Sequence, residues 1–340
     1  MRLGQITCPS GQLVVADGGY LGAWSGEKSP AEIDPVLLNI DDPQLIREIS
    51  GAVDFDIVGP DAQQAAREYG RQAGTALYDI PMSHVHEMPR EFSEFCHEQG
   101  FQARAEALAD RVPHRERVRR CVSRGDGQFI VFGIPVVAVD GLPTDRALPV
   151  EGTQRDYGEH GVRLQDISVL LSDKPVTRSQ LLGRVGVDWA RLSFADADAL
   201  SAWRHLRPTD GKADVAFWGR DAEEAAAVHG AGKLPEGVDG WENLGLEEAI
   251  ERYETVESWQ EANGKVLKLD FRPHSHHWQV MREVRAAETE SGEIEVGGAR
   301  MVFAMTSWGD GFFPVYADYA DDELVAVRAV VDIHAREKEE

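Results

Sequence analysis

The chain has 340 residues, of which 42% are apolar, and a formal net charge of −24 with a pI near 4.8. This apolar content is enough for a folded core and excludes a disordered chain. The negative charge disfavours contact with the phosphates of DNA or RNA and with anionic lipid, and it favours a basic protein partner. We therefore predict a folded protein that binds neither nucleic acid nor membranes.

The cysteines and the first residues predict a cytoplasmic location. Cys8, Cys96 and Cys121 are odd in number and widely spaced, which argues against a disulfide framework. The opening residues, MRLGQITCPSG, lack the apolar segment of a secretory signal peptide. The longest apolar run, FIVFGIPVVAV, contains a glycine and a proline and is far shorter than the roughly 20 residues of a spanning helix.

In the first half of the chain, DPQLIREI (42–49) predicts a helix that begins at an aspartate. Ile57-Val58 predicts a short strand that ends at Gly59, and a helix with Asp61 as its N-cap follows. REFSEFCHEQG (90–100) predicts another helix. GQFIVFGIPVVAV (127–139) predicts strands.

The second half gives a similar series. Phe217-Trp218 predicts a strand, followed by a helix with Asp221 as its N-cap. DADALSAWRHL (196–206) and VESWQEAN (256–263) predict helices, and ARMVFAMTSW (299–308) predicts a strand. PVYADYADDELVAVRAVV (314–331) predicts a hairpin with its turn at residues 320–322. Because helices and strands do not alternate strictly, we predict an α+β fold with mainly antiparallel sheets and flanking helices.

The two halves also match in sequence. DFDIVGPDAQQAAREYG (54–70) and DVAFWGRDAEEAAAVHG (214–230) are identical at seven of 17 positions without a gap. Weaker matches join residues 1–8 with 162–169, 37–45 with 191–200, and 149–163 with 314–328. We predict two diverged copies of one α+β unit, residues 1–150 and 151–333, followed by a charged tail, residues 334–340.

Four segments resemble an uncharacterised family of bacterial proteins that is known only as a domain of unknown function. SGQLVVAD (10–17) is similar to the opening motif of that family, and WGDGFFPVY (308–316) is similar to its closing motif. LSDKPVTR (171–178) and VGVDWARLSFADADAL (185–200) resemble two segments between them. The chain departs from the family at Gly18, where proline is usual, and at Phe313, where tyrosine is usual. The resemblance implies a bacterial intracellular protein and no known reaction.

The opening and closing motifs supply the candidate binding residues. We expect the first strand of copy 1 to pair with the final hairpin of copy 2, because this would cover an exposed strand edge. The motifs would then lie side by side and form one binding patch from Asp17, Tyr20, Trp24, Trp308, Asp310 and Tyr316. The alternative is that each copy closes on itself, with the motifs apart and Asp310 serving only its own turn.

RPHSHHW (272–278) is the most metal-like segment of the sequence. On a strand, His274 and His276 would share one face, and with a carboxylate such as Asp270 they would make a zinc or iron site. Because no third ligand stands at a known spacing, a packing role for these histidines is the competing interpretation.

Two functional hypotheses follow from the sequence. In the first, the chain is a bacterial, intracellular binding protein without a cofactor that engages a protein partner, in the way that immunity proteins neutralise toxins. The acidic charge, the eight tryptophans and the lack of a recognisable catalytic motif favour this hypothesis. The alternative is a metal-dependent, hydrolase-like enzyme with zinc or iron at His274 and His276, in a site between the two copies.

Overall fold

A computed structural model describes residues 1–34, 42–70, 74–123 and 127–332. The predicted charged tail, residues 334–340, lies outside the described residues. The chain divides into two compact units. Unit 1 comprises the described residues of Met1–Trp203 and Glu283–Glu340, and unit 2 is Arg204–Arg282. This division follows compactness, whereas the predicted division at residue 150 follows sequence similarity, so the two-copy organisation stays a prediction.

The described residues form seven α-helices. They are α1 (Pro43–Ser50), α2 (Ala62–Gly70), α3 (Met88–Gln99), α4 (His114–Val122), α5 (Ala222–His229), α6 (Leu246–Asn263) and α7 (His276–Ala286). Asp42 begins α1 as predicted, because its side chain accepts the Gln44 N–H. Among these helices, none combines the length and the apolar composition that a bilayer crossing requires.

Asp61 and Asp221 stand directly before α2 and α5, as predicted for N-cap residues, but their carboxylates bond outside the helices. Asp221 makes no capping bond to α5, because its carboxylate accepts the Val266 N–H at 2.7 Å. Asp61 likewise accepts the Gln102 N–H at 2.7 Å. The predicted helix over residues 196–206 is only a 3-10 turn at Ala199–Ala202. Buried Asp196 ends a strand there and receives bonds from neighbouring amides and from Ser10.

The described residues also form strands. In chain order they are β1 (Arg2–Ile6), β2 (Leu13–Asp17), β3 (Val53–Val58), β4 (Ala76–Ile80), β5 (Arg104–Ala107), β6 (Gln128–Val131), β7 (Ile134–Val139), β8 (Leu148–Asp156), β9 (Val162–Leu170), β10 (Arg178–Val187), β11 (Arg191–Asp196), β12 (Lys212–Trp218), β13 (Gly232–Lys233), β14 (Asp239–Gly245), β15 (Lys268–Pro273), β16 (Ser291–Val296), β17 (Ala299–Met305), β18 (Gly311–Ala320) and β19 (Glu323–Val330). The final hairpin is confirmed, since Ala320 pairs with Glu323 across the turn.

The described residues of unit 1 form two six-stranded sheets and one smaller sheet. Sheet I has the order β1-β8-β9-β19-β18-β10, and sheet II has the order β16-β17-β11-β2-β7-β6. Their apolar faces share one core, which includes Val169 and Phe313 from sheet I and Val15 and Phe194 from sheet II. The smaller sheet, β4-β3-β5, packs against α2 and α3.

Unit 2 is a four-stranded sheet with the order β13-β14-β12-β15. Helices α5 and α6 pack on it through Phe217, Ala225 and Val256. The strand pairs of the described chain are antiparallel, as in β12 with β14 and β10 with β18. The predicted α+β class is therefore confirmed.

The predicted pairing between the first strand and the final hairpin is wrong. β1 pairs with β8, and β2 pairs with β7 and β11. The edge of the final hairpin is covered by β10, in which Val187 lies opposite Gly311. The edge of the final hairpin is thus paired with another strand, as expected, but that strand comes from the middle of the chain.

Candidate functional site

The opening and closing motifs meet at the 188–190 loop, which joins β10 to β11. Asp17, at the end of β2, is 1% exposed, and its carboxylate accepts the N–H groups of Asp188 at 2.6 Å and Trp189 at 3.0 Å. The Asp310 carboxylate accepts the next amide, Ala190 N–H, at 2.9 Å. Three successive amides are therefore held by carboxylates from opposite ends of the chain.

Asp17 is a structural acceptor within this loop. Burial raises the pKa of its carboxyl group to about 6, against the opposing effect of N–H bonds from Gly19, Asp188 and Trp189 and of the Arg191 charge. The Tyr20 hydroxyl donates to Asp188 at 3.2 Å. Burial and then the Asp188 charge raise the pKa of Tyr20, so its hydroxyl remains protonated at neutral pH.

The Trp-Gly-Asp-Gly motif forms a turn that places two aromatic rings on opposite sides of β18. The Thr306 hydroxyl donates to the Gly309 carbonyl at 2.6 Å, which closes the turn. Phe313 is fully buried in the core, whereas Phe312 is 54% exposed. The side chains alternate because successive residues of a strand face opposite sides.

Trp308 and Tyr316 have packing roles elsewhere. The Trp308 indole N–H donates to the Leu164 carbonyl at 2.8 Å, and the ring meets Tyr157 edge to face at 4.8 Å. Tyr316 lies in mid-strand, under the Arg328 guanidinium at 5.1 Å. Of the six expected residues, Asp17, Tyr20 and Asp310 contact the 188–190 loop, whereas Trp308 and Tyr316 contact Leu164, Tyr157 and Arg328. The six-residue binding patch stays a prediction.

A cleft of about 460 Å³ opens beside Tyr20 and Asp188 within unit 1. We name it the Arg111 cleft. Its apolar walls come from α1, the end of β4 and the turn between β6 and β7, and they consist of Leu45, Ile49, Ala52, Pro81, Phe132 and Ile134. Its polar groups are Tyr20, Glu48, Asp79, Ser83, His84, Arg111 and Asp188. Mostly apolar walls with a few polar groups are typical of ligand and anchor sites.

Behind the cleft lies a buried group of two arginines and two aspartates. Fully buried Arg117 contacts Asp79 at 2.7 Å and Asp54 at 3.0 Å, and Arg111 contacts Asp79 at 2.5 Å. Burial opposes the ionisation of Asp79, but the charges and hydrogen bonds of Arg117 and Arg111 outweigh it and lower the pKa of Asp79. The charges balance, as a buried cluster requires.

Two residues of the cleft have a left-handed backbone without being glycine. Asp79 has φ +57° and Phe132 has φ +49°, and the Phe132 N–H donates to the Asp79 carboxylate at 2.7 Å. Each such conformation costs about 1 kcal/mol or more. Strain of this kind persists only where the surroundings fix it, and it is concentrated at binding and catalytic sites.

The His114 ring packs against Trp24 and against Phe132, which lines the cleft. The His114 ring lies 5.5 Å from Trp24 and 5.8 Å from Phe132. Burial, with the Arg117 charge, lowers the pKa of His114, so its imidazole is neutral and its Nδ1 accepts the Ser25 N–H. Trp24, Asp17 and Tyr20 also line a small cavity of about 20 Å³. Asp17 and Tyr20 therefore line this cavity and also contact the 188–190 loop.

The expected metal pair, His274 and His276, does not share a strand face. β15 ends at Pro273, and His276 is the first residue of α7. Both ring nitrogens of His274 are bonded, to Asp210 and to Asp214, each at 2.9 Å. His276 accepts the Arg204 N–H through Nδ1, and Asp270 pairs with Arg272. Within the described ranges, no three His, Cys, Asp or Glu side chains are grouped to hold a metal ion.

Comparisons with protein-family models, with curated proteins and with solved structures gave no match. The resemblance to the uncharacterised bacterial family therefore stays a prediction, and functional proposals for this chain depend on its own geometry.

Sequence reasoning missed the residues that shape the cleft and its rim. Asp79, Arg111 and Phe132 lie in a stretch without any recognised motif, and their contacts join residues far apart in the chain. Two signals were available. The glycine after Phe132 marked a turn inside an apolar run. The large aromatic Trp189 lies between the short polar Asp188 and the small Ala190 in the segment VGVDWA.

Proposed function

We propose that this chain is a binding protein for a basic protein partner, and that Trp189 and Phe312 are the aromatic anchors of its interface. The observation that carries the proposal is their exposure, 48% for Trp189 and 54% for Phe312, at the same end of the β10–β18 strand pair. Large exposed aromatics at a fixed position are typical of interface hot spots.

The supporting backbone holds both anchors in place. Trp189 is fixed by the bond to Asp17, and its ring lies so close to Gly19 that a Cβ there would come within 2.3 Å. Phe312 lies over Gly186, where a Cβ would also approach Ile134 of the cleft. Anchors that are ordered before binding lose little conformational entropy when the complex forms.

The acidic charge of the chain favours a basic partner. The chain carries 59 acidic and 35 basic residues, and Asp188 and Glu48 lie at the cleft beside the anchors. A negative surface attracts a positive protein over several ångströms and accelerates association. An immunity-like protein that covers a basic toxin would act through such a surface.

The test is capture of the partner with matched variants. Cross-linked complexes would be recovered from cells that naturally express the protein, with the wild type, with Trp189→Ala/Phe312→Ala and with the control Trp218→Ala/Val162→Ala. The control residues are similarly exposed, at 41% and 59%. A captured basic protein would then be purified and its affinity measured directly.

We expect the anchor variant to bind this purified partner at least about 100-fold more weakly, because two hot-spot residues each contribute roughly 2 kcal/mol or more. The control variant should bind as the wild type does. Equal binding by all three proteins, or capture of an acidic partner only, would contradict the proposal.

A further inference from the structure

The Arg111 cleft contains a buried hydrogen-bond donor without an acceptor. Arg111 is 6% exposed, and its terminal nitrogens donate to Asp79 at 2.5 Å and to the Ile49 carbonyl at 3.1 Å. Its Nε–H has no hydrogen-bond partner among the described residues. A buried donor in this state costs about 1–3 kcal/mol, so an oxygen atom from a ligand would be stabilised there.

The charges around the cleft select the kind of oxygen. Asp79 is already bonded to Arg111 and Arg117, which leaves Glu48 and Asp188 as the further acidic side chains that line the cleft. His84, the other titratable group there besides Tyr20, hydrogen-bonds with Ser83. A carboxylate ligand would be repelled by the two acids, whereas a neutral carbonyl with a nearby cation fits both features.

The acidic groups also keep oxygen atoms for a ligand. Glu48 accepts the Ser83 N–H through Oε2, and Asp188 accepts the Tyr20 hydroxyl through Oδ2. Each carboxylate has a second oxygen that can accept from an ammonium or guanidinium group. The apolar walls of the same cleft include Ile49, Pro81 and Ile134. The donor, the apolar walls and the acids of the cleft match, in turn, the peptide carbonyl, the methylene stem and the cation of a lysine or arginine residue.

We propose that the Arg111 cleft receives a lysine or arginine side chain of the partner polypeptide. The proposal rests on the proposed function and names the group that the partner inserts. The peptide carbonyl accepts the Arg111 Nε–H, the methylene stem packs on the apolar walls, and the cation pairs with Asp188 and Glu48. The cleft volume of about 460 Å³ lies within the range that is usual for ligand-binding pockets.

The test uses five synthetic peptides of the form acetyl-Ala-Ala-X-Ala-Ala-amide, in which X is lysine, arginine, norleucine, Nε-acetyllysine or glutamate. Affinities are measured by calorimetry at low ionic strength. The Arg111 Nε–H resonance is followed by NMR and assigned by its loss in Arg111→Lys. We expect the lysine and arginine peptides to bind and to shift this resonance. The norleucine and acetyllysine peptides should bind about tenfold more weakly, because they lack the charge.

Variants of the acidic groups provide the second measurement. Glu48→Gln/Asp188→Asn keeps one acceptor oxygen on each side chain but removes both charges, and Glu248→Gln, on α6, is the control. The double variant should bind the lysine peptide about tenfold more weakly and the norleucine peptide unchanged, since only the ionic contact is lost. Circular dichroism would verify that each variant is folded.

The cleft proposal is wrong if no peptide binds, if lysine and norleucine peptides bind equally, if the glutamate peptide binds best, or if the double variant is unaffected. These results leave the proposed function intact when partner binding still depends on Trp189 and Phe312. The opposite result is that the lysine peptide binds in the cleft but partner binding does not depend on Trp189 and Phe312. That result would reject the proposed interface and support the cleft proposal.

Discussion

At the scale of single residues, the most informative contacts are those of the 188–190 loop. Asp17 and Asp310 accept neighbouring amides there, and the last residue of the loop, Ala190, has φ +51°. A left-handed alanine costs about 1–2 kcal/mol, so the loop keeps this conformation only because both ends of the chain hold it. The loop in turn fixes the position of Trp189.

The first prediction concerns Asp310. Asp310→Ala should lower the free energy of unfolding by about 1 kcal/mol, because one hydrogen bond to the Ala190 amide is lost. Hydrogen exchange at the Ala190 amide should become faster by about tenfold for the same reason. Asp322→Ala, in the turn of the final hairpin, is the control. Unchanged exchange at Ala190 would show that Asp310 serves only its own turn.

The second prediction concerns His274 in unit 2. Burial lowers the pKa of His274, but hydrogen bonds and charges from Asp214 and Asp210 outweigh it and raise the pKa above the ordinary value of 6.5. The protonated form is therefore favoured by folding. The resulting stability is fully present below pH 6.5 and is lost as the pH rises through the folded-state pKa.

Thermal unfolding between about pH 5.5 and 8.5 tests whether this contribution to stability falls as the pH rises. The wild type should lose stability across the upper part of that range, and His274→Gln should lose less. His97→Gln, an exposed histidine on α3, should behave as the wild type does. A wild type that gains stability with rising pH relative to His274→Gln would contradict the assignment.

Long-range contacts explain why the residue-scale site was only partly predictable. The motif carboxylates Asp17 and Asp310 stood out, because aspartate near glycine predicts a bonded turn. The pairing of Arg111 and Arg117 with Asp79 depends on how separate elements pack, and no local pattern encodes it. His274 and His276 failed as a pair because the segment changes from strand to helix between them.

At the scale of elements, the strand order supports the predicted duplication. In each large sheet, the three strands from one edge inward belong to the proposed first copy and the three from the other edge inward belong to the proposed second. In sheet I these are β1-β8-β9 and β10-β18-β19, and in sheet II they are β6-β7-β2 and β16-β17-β11. The smaller sheets place β3 between β4 and β5, and β12 between β14 and β15. We keep the duplication as a proposal and place its boundary between β9 and β10, later than residue 150.

The third prediction uses a pair of glycines that the sequence repeat aligns, Gly59 and Gly219. Their φ values are +130° and +129°, and a Cβ would lie 2.3 Å from the Gln102 oxygen at Gly59 but 3.0 Å from the Leu267 Cα at Gly219. Alanine should therefore destabilise both positions, by about 3 kcal/mol or more at Gly59 and less at Gly219.

Gly100→Ala is the matched control, since its φ is +78° and no atom lies within 4 Å of its Cβ position. It should cost only about 1 kcal/mol, from the left-handed backbone alone. Denaturant unfolding gives the three values. Equal costs at Gly59 and Gly100 would contradict the close approach at Gly59.

Local patterns predicted most elements because strong periodicity or end signals marked them, as in α1, α3, α6 and the final hairpin. They failed where a polar side chain bonded outside its own element. Asp196 had the local context of a helix start, yet its carboxylate bonds Ser10 and only a 3-10 turn follows. Asp221 is the N-cap residue of α5, but its carboxylate bonds the amide of Val266 instead of the helix. A short sequence window does not contain these distant partners.

At the scale of the whole molecule, the net charge of −24 is expected to affect how fast the proposed basic partner associates. The fourth prediction is that the association rate with the captured partner falls at least about tenfold between about 50 mM and 500 mM salt, because screening shortens the reach of the field. The dissociation rate should change much less. Biosensor kinetics separate the two rates, and a salt-independent association rate would exclude electrostatic steering.

The most direct test of the central claim is in-cell oxidative footprinting of the tryptophans, which works whatever the identity of the partner. Hydroxyl-radical labelling of Trp189 would be compared between expressing cells and the purified protein, with Trp218 of similar exposure as the internal standard. We expect Trp189 labelling in cells to fall at least about threefold relative to Trp218, because an interface anchor is excluded from solvent. An unchanged ratio of Trp189 to Trp218 labelling would contradict the claim that this surface binds a partner.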